Sequence, residues 1–281
     1  MTEHSPIRRL LPHLWLWIAI VVIVFPIWLV FVASTRTNLE ILSAPMSILP
    51  GSHFFENYFR VITEGGKALG ASAWMMMKNS LIMALGISVG KIVVSLLAAF
   101  ALVFFDFRFR KTIFWSIFIT LMLPVEVRIM PTYKVISDLH LLNSYWGLIL
   151  PMIVSATAVF LFRQFFMSVP REMAEASQID GATPMQFFAE ILVPMTRTPI
   201  AAMFVIQFIY GWNQYLWPLL ITTKVKYYTL LIGINRMLAG ADVEIEWQVV
   251  MATVLLAMLP PVIVVIFMQK QFVAGMTETE K

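Results

Sequence analysis

Residues 79–105 read NSLIMALGISVGKIVVSLLAAFALVFF. The apolar residues of this stretch are gathered into one long run and are not spread at strand or helical periodicity, so it reads as neither a half-buried strand nor the surface helix of a soluble domain. About 20 apolar residues, each rising about 1.5 Å, cross about 30 Å of hydrocarbon, and this run is long enough to do so. Working outward, residues 14–34, 112–131, 145–166, 199–222 and 248–268 meet the same requirement, with Glu126 and Arg128 in the last turns of the third run. The sequence therefore predicts an all-α polytopic membrane protein with six transmembrane helices in a single domain, 1–281. Composition agrees: 60% of residues are hydrophobic and 13% charged, whereas soluble domains carry about 25% charged residues. The same figures exclude a disordered chain. With no cysteine, disulfide frameworks, thiolate metal sites and cysteine nucleophiles are excluded. His4, His13, His53 and His140 stand apart from one another and from any carboxylate pair, so no metal site is expected.

Six spans place both termini on one side. Lysines and arginines divide almost evenly between the two sets of connections, and the tie is broken by Arg108, Arg110 and Lys111, crowded into the short 106–111 link. The termini, including the tail 269–281, are therefore expected in the cytoplasm. Segment 35–78, with Gly51, Gly65, Gly66, Gly70 and two prolines, is expected to be an external loop. The net charge of +4 then reflects loop topology and not nucleic-acid binding. The first run follows Arg8 and Arg9 as in a signal peptide, but it is too long for a cleaved core and reads as an anchor that stays.

One polar segment has ordered local chemistry: 168–198, SVPREMAEASQIDGATPMQFFAEILVPMTRT. Pro170 suits a first helical position, Glu172 the first turn and Gly181 a helix stop. Thr183, Pro184 and Gln186 form a capping box for a second short helix, which Pro194 closes. The pattern predicts a helix-turn-helix whose small residues (Ala174, Ala176, Ser177) and apolar ones (Met173, Ile179, Phe187, Phe188, Ile191) dock in a groove of a partner. An amphipathic loop lying on the membrane surface is the plainer alternative.

Glu175-Ala176-Ser177, Gly181 and Ile191-Leu192-Val193-Pro194 together resemble the EAA loop of ABC importer permeases, E-A-A-x3-G-x9-I-x-L-P, with Ser177 in place of alanine and Val193 in place of leucine. The stretch 208–219, FIYGWNQYLWPL, is similar to the W-N-x-F/Y-L-W-P-L signature of the maltose-type (carbohydrate) branch, and the tail 271–277, QFVAGMT, to the end of that branch's chains. Within it, 118–129 and 160–167 look most like permeases of sn-glycerol 3-phosphate importers. The resemblance implies a type I ABC importer permease fold in a bacterial inner membrane. It also implies a second permease subunit, two copies of an ATPase that binds ATP and Mg, and a periplasmic binding protein delivering the cargo. No cofactor is implied for this chain. Docking on the ATPase passes by resemblance to Glu175, Ala176, Ser177, Asp180, Gly181 and Pro194, and a pathway lining to Trp212, Asn213 and Gln214, where the amides bind hydroxyls or hold two permeases together.

The remaining residues leave alternatives open. Lys91 lies about 18 Å along a helix from Asn79, too deep to snorkel, so it faces a polar interior: an anion site, or an interhelical contact. Arg128, with Glu126 beside it, attracts substrate at the external mouth or closes a salt bridge. Gly86-x3-Gly90-Lys91 has the wrong spacing for a phosphate loop and instead fits close helix packing. An imported sugar or glycerophosphodiester remains the rival cargo. A remoter rival, an intramembrane enzyme acting on a lipid phosphate, lacks any paired acid and base.

Overall fold

In the computed structural model, residues 6–67, 69–120, 125–239 and 244–277 are described, with side chains omitted for 6–11, 125, 126 and 270–277. Every regular element among them is helical. The order is α1 (Pro6–Ser34), α2 (Asn38–Leu42), α3 (Phe54–Thr63), α4 (Ala73–Phe104), α5 (Arg110–Ile119), α6 (Val125–Asp138) and α7 (Tyr145–Ile149). Then follow α8 (Ala156–Ser168), α9 (Arg171–Ile179), α10 (Pro184–Met195, containing a π turn at Phe187–Leu192), α11 (Arg197–Trp212), α12 (Leu216–Ile221), α13 (Leu230–Ala239) and α14 (Trp247–Thr277).

Among the described residues, three helices are long and apolar enough to cross a membrane alone: Pro12–Ser34 of α1, all of α4, and Trp247–Gln269 of α14. Internal prolines, Pro26 in α1 and Pro260 and Pro261 in α14, do not break them; neighbouring groups in a membrane helix can take up the freed carbonyls. The other expected spans differ from simple rods. Residues 145–166 form a pair bent by 50° between Tyr145–Met152 and Ala156–Ser168. The run 199–222 is interrupted after Trp212, because Pro218 cannot donate the backbone hydrogen bond of a continuous helix and sits instead in the first turn of α12. Run 112–131 falls on α5 and α6, and residues 121–124 between them lie outside the described residues. Arg128 lies on α6, which runs on to Asp138. The helix α14 continues through most of the expected tail, to Thr277.

Where the sequence predicts one domain, the chain groups into two compact units, Met1–Met75 with Gly233–Met258, and Met76–Ile232 with Leu259–Lys281. In the second, α4 supplies the small residues that let helices close in. A Cβ on Gly86 would lie 2.6 Å from Ile149 Cδ1, one on Gly90 2.5 Å from Ile153 Cγ2, and one on Gly211 of α11 3.0 Å from Ala84 Cα. These contacts match the close packing expected of Gly86 and Gly90. The polar end of α4 is tied down by Asn79, whose amide donates to the carbonyls of Lys226 and Tyr228 (both 2.9 Å) and accepts from the Tyr145 hydroxyl (2.7 Å).

In the first unit, residues 35–67 hold α2, α3 and a polar knot. The Asn57 amide donates to Ser34 and Arg36 carbonyls, both at 2.9 Å. Glu246 accepts from Arg60 Nη2 (2.5 Å) and from the Lys67 backbone N–H (3.0 Å). Burial pushes the Glu246 carboxyl up, but the Lys67 N–H, the Arg60 hydrogen bond and the charges of Arg60 and Lys67 together hold it below its ordinary value. A folded-state pKa below the unfolded one contributes stability above the unfolded value and loses it as pH falls through the folded one. Arg60→Ala is therefore expected to lower the melting temperature in detergent by the equivalent of about 1–2 kcal/mol at neutral pH. The gap between variant and parent should narrow below the carboxylate range; a gap independent of pH would show that the pair contributes nothing.

Candidate functional site

The segment between α8 and α11 folds from its own local signals. Pro170 takes the N-cap position and not the first helical one, so α9 opens at Arg171 with Glu172 in its first turn. The helix ends in a Schellman motif: the Gly181 N–H donates to Gln178 O (3.0 Å) and the Ala182 N–H to Ser177 O (2.9 Å). Gly181 has φ +80°, which glycine adopts freely, and a Cβ there would meet nothing within 4 Å. Thr183 and Gln186 form the expected reciprocal capping box with Pro184 at the first turn of α10.

Beyond the box the helix does not end at Pro194. Its missing N–H and its ring displace the usual bonding to the preceding turn, and the chain answers with the π turn Phe187–Leu192 and continues to Met195. The elbow is at Thr196, fully buried, whose hydroxyl and N–H both donate to Leu192 O (2.5 and 3.1 Å). From there α11 leaves at 75° to α10.

This tip stands on a phenylalanine core. Phe187 and Leu192 of α10 are buried with Leu96, Phe100, Phe162 and Phe166, and Phe188 and Met173 pack against the same cluster. Ring centroids lie 4.9 Å apart for Phe100 and Phe188, and 5.2 Å for Phe104 and Phe187. Of the residues assigned to docking, Glu175, Ala176, Asp180 and Gly181 are exposed, together with the apolar Ile179 (86%) and Met185 (57%). Ser177 is not on that surface: it is buried, its hydroxyl donating to Ala174 O (2.8 Å). Pro194 is half-buried within α10. Ile179 is an exposed apolar residue at the last position of α9, where a solvated helix end usually carries a polar one.

The intramembrane candidates do not converge. Lys91 is 6% exposed; its ammonium donates to Gln207 Oε1 (3.0 Å) and lies 3.6 Å from the Tyr210 ring centroid, so it bridges α4 and α11. Among the described residues no carboxylate pairs with it. Gly86 to Lys91 is continuous α4, with no room for a phosphate. Arg128 is exposed on α6, and the side chain of Glu126 lies outside the described residues. Trp212 is buried and stacks on Phe208 at 6.0 Å; Asn213 is exposed at the break after α11, and Gln214 is half-buried with its amide donating to Tyr210 O (3.2 Å). Gln207 and Tyr210 escaped the sequence reading; a lone amide within an apolar run, one turn before Gly211, is the signal that points to them.

The family model described as the binding-protein-dependent transport system inner membrane component matches residues 91–278. The chain is 53% identical over 282 residues to the sn-glycerol-3-phosphate transport system permease protein UgpE of Agrobacterium fabrum, with both chains covered in full. It is 51% identical to the proteins of that name from Brucella melitensis and from Escherichia coli O1:K1, again at full coverage of both. Among solved structures, a bacterial ABC transporter involved in the import of the acidic polysaccharide alginate matches with a TM-score of 0.82 at 21% identity, over 97% of this chain and 99% of that one. That likeness speaks for the fold alone.

Lys91→Met and Gln207→Leu are each expected to lower thermal stability by about 1–3 kcal/mol, because each strands a polar group in the interior. The double variant should cost less than the sum of the two. Unchanged stability with weakened uptake would instead free Lys91 for the cargo.

Proposed function

The chain belongs to the family of binding-protein-dependent transport system inner membrane components, and on that premise we propose that it translocates sn-glycerol 3-phosphate as one of two permeases in an ATP-driven importer. It is a transport subunit and not an enzyme. The observation that carries the mechanism is the exposed ridge Glu175–Ala176–Ile179–Asp180, fixed by the Gly181 turn and mounted on the phenylalanine core. An acidic and apolar tip on a rigid base suits a cleft in a partner better than a membrane surface, whose anionic headgroups repel it. The cargo is supported by relatives 51–53% identical over their full lengths and named for sn-glycerol-3-phosphate transport.

In this reading, two ATPase copies hold ATP and Mg, and their closure moves the tip. The tip carries α11 and α4 with it, and rocking against the second permease alternates access to a central site. A periplasmic binding protein delivers the cargo, both termini face the cytoplasm, and 35–78 lies outside. Exposed Arg128 and Asn213, with Gln214 next to Asn213 in the chain and Glu126 on the same helix as Arg128, line the shared pathway at separate points. There Arg128 meets the phosphate charge and the amides meet the hydroxyls, while Trp212 backs Asn213. Lys91 serves by holding α4 to α11, and Ser177 and Pro194 shape the docking loop from within.

The test is ATPase activity of the complete transporter in lipid, with binding protein present. Stimulation is expected with sn-glycerol 3-phosphate and not with maltose; stimulation by the sugar would discard the cargo. Gly181→Val, strained by a β-branched residue at positive φ, is expected to assemble normally yet uncouple hydrolysis from uptake. Unimpaired uptake in that variant would remove the docking role.

A further inference from the structure

A cavity of about 520 Å³ opens where α4, α5, α8 and α9 meet, and its polar lining is entirely cationic: Arg110, Lys111, Arg163 and Arg171. Its apolar wall includes Phe114 and Trp115. We propose that it binds the phosphodiester headgroup of an anionic phospholipid.

Four features support that occupant. First, the charges are available. Among the described residues no carboxylate pairs with Lys111, Arg163 or Arg171, and Arg110 pairs with Asp106 (2.8 Å), itself 97% exposed at the side chain, and donates to the Phe105 carbonyl at 3.4 Å; an exposed pair of this kind holds its partner weakly. Second, Arg163 is pre-positioned. Its guanidinium lies 4.1 Å from the Phe114 ring centroid, and its Nε is buried without a hydrogen-bond partner. A guanidinium held by its flat face keeps its edge donors free for phosphate oxygens. Third, α5 begins at this cavity with Arg110 and Lys111, and its N-cap, Phe109, supplies no side-chain hydrogen bond. The Arg110 N–H donates to Phe107 O (3.2 Å), and the positive end of the helix dipole adds to the anion field.

Fourth, the surroundings suit a lipid and not only a free ion. Trp115, Ile113 and Ile119 are exposed on α5, giving acyl chains an apolar surface beside the charges. An indole at that boundary is the usual marker of the membrane interface. Basic pockets between membrane helices take anionic headgroups for the same reason. Arg171 is also the first residue of α9, so the bound headgroup would touch the base of the docking tip.

The experiment uses the complete transporter, purified in nanodiscs of phosphatidylcholine with a minority of phosphatidylglycerol. Retained lipid is counted by native mass spectrometry. Lys111→Gln with Arg171→Gln alters two exposed side chains that make no ion pair among the described residues, so the fold is expected to persist, as melting would report. This double variant is expected to bind phosphatidylglycerol about 30-fold more weakly, from the attraction of two cations, with phosphatidylcholine retention unchanged. Arg163→Lys, which keeps the charge but loses the stacked fork, should give an intermediate loss. Equal retention in parent and double variant overturns the site. Displacement of the lipid by millimolar inorganic phosphate, with the same dependence on these residues, overturns the lipid as occupant in favour of the free anion.

Discussion

Everything in the larger unit depends on how closely other backbones can approach α4. Inside a bilayer, helices gain little from hiding apolar surface, so their association rests on contact at short range and on the few polar groups that meet across it. Gly86 and Gly90 receive Ile149 and Ile153, and Gly211 places α11 against Ala84. That proximity is what lets the Lys91 ammonium reach Gln207 and lie over Tyr210. A charge that would be ruinous on a lipid-facing helix becomes a fastener between two helices. Asn79 does the corresponding work at the end of the helix, where three hydrogen bonds gather the 226–228 segment and Tyr145 onto α4.

The other end of α4 has a different chemistry. There Phe100 packs tilted against Phe188 and Phe104 edge-on against Phe187, in a contact that is apolar. The same helix thus grips its neighbours by small residues in the middle and by aromatic rings near its C-terminus. The exposed, charged α9 surface is attached to the second of these grips, and the fastened interior belongs to the first.

Much of this was legible in the residues, and the divisions follow physical lines. The uninterrupted apolar runs of α1, α4 and α14 announce themselves because lipid leaves no alternative to a helix. The turn at Gly181 and the box at Thr183 are equally plain, since each is settled within six residues. Interruptions are harder: Asn213 and the bend near residue 153 join two apolar pieces, and hydropathy is the same on both sides of the break. The π turn at Phe187–Leu192 follows from Pro194, yet proline alone does not say whether a helix stops or bulges. Ser177 reads as surface because it adjoins Glu175 and Ala176, and only the rotation of α9 about its axis turns it inward. The partner of Lys91 lies 116 residues away, a distance over which no local pattern carries information.

The elbow at Thr196 converts these details into mechanics. Its hydroxyl and N–H both close on the Leu192 carbonyl of α10, and its own carbonyl accepts from the Ile200 N–H of α11 (2.9 Å), so one buried residue is hydrogen-bonded to both arms of the 75° angle. A braced angle behaves as a bell crank: a push against one arm reappears as torque on the other, with little slack lost at the corner. In the proposed docking role, a stroke applied to the tip passes through this one buried threonine on its way to Trp212 and the break beyond it.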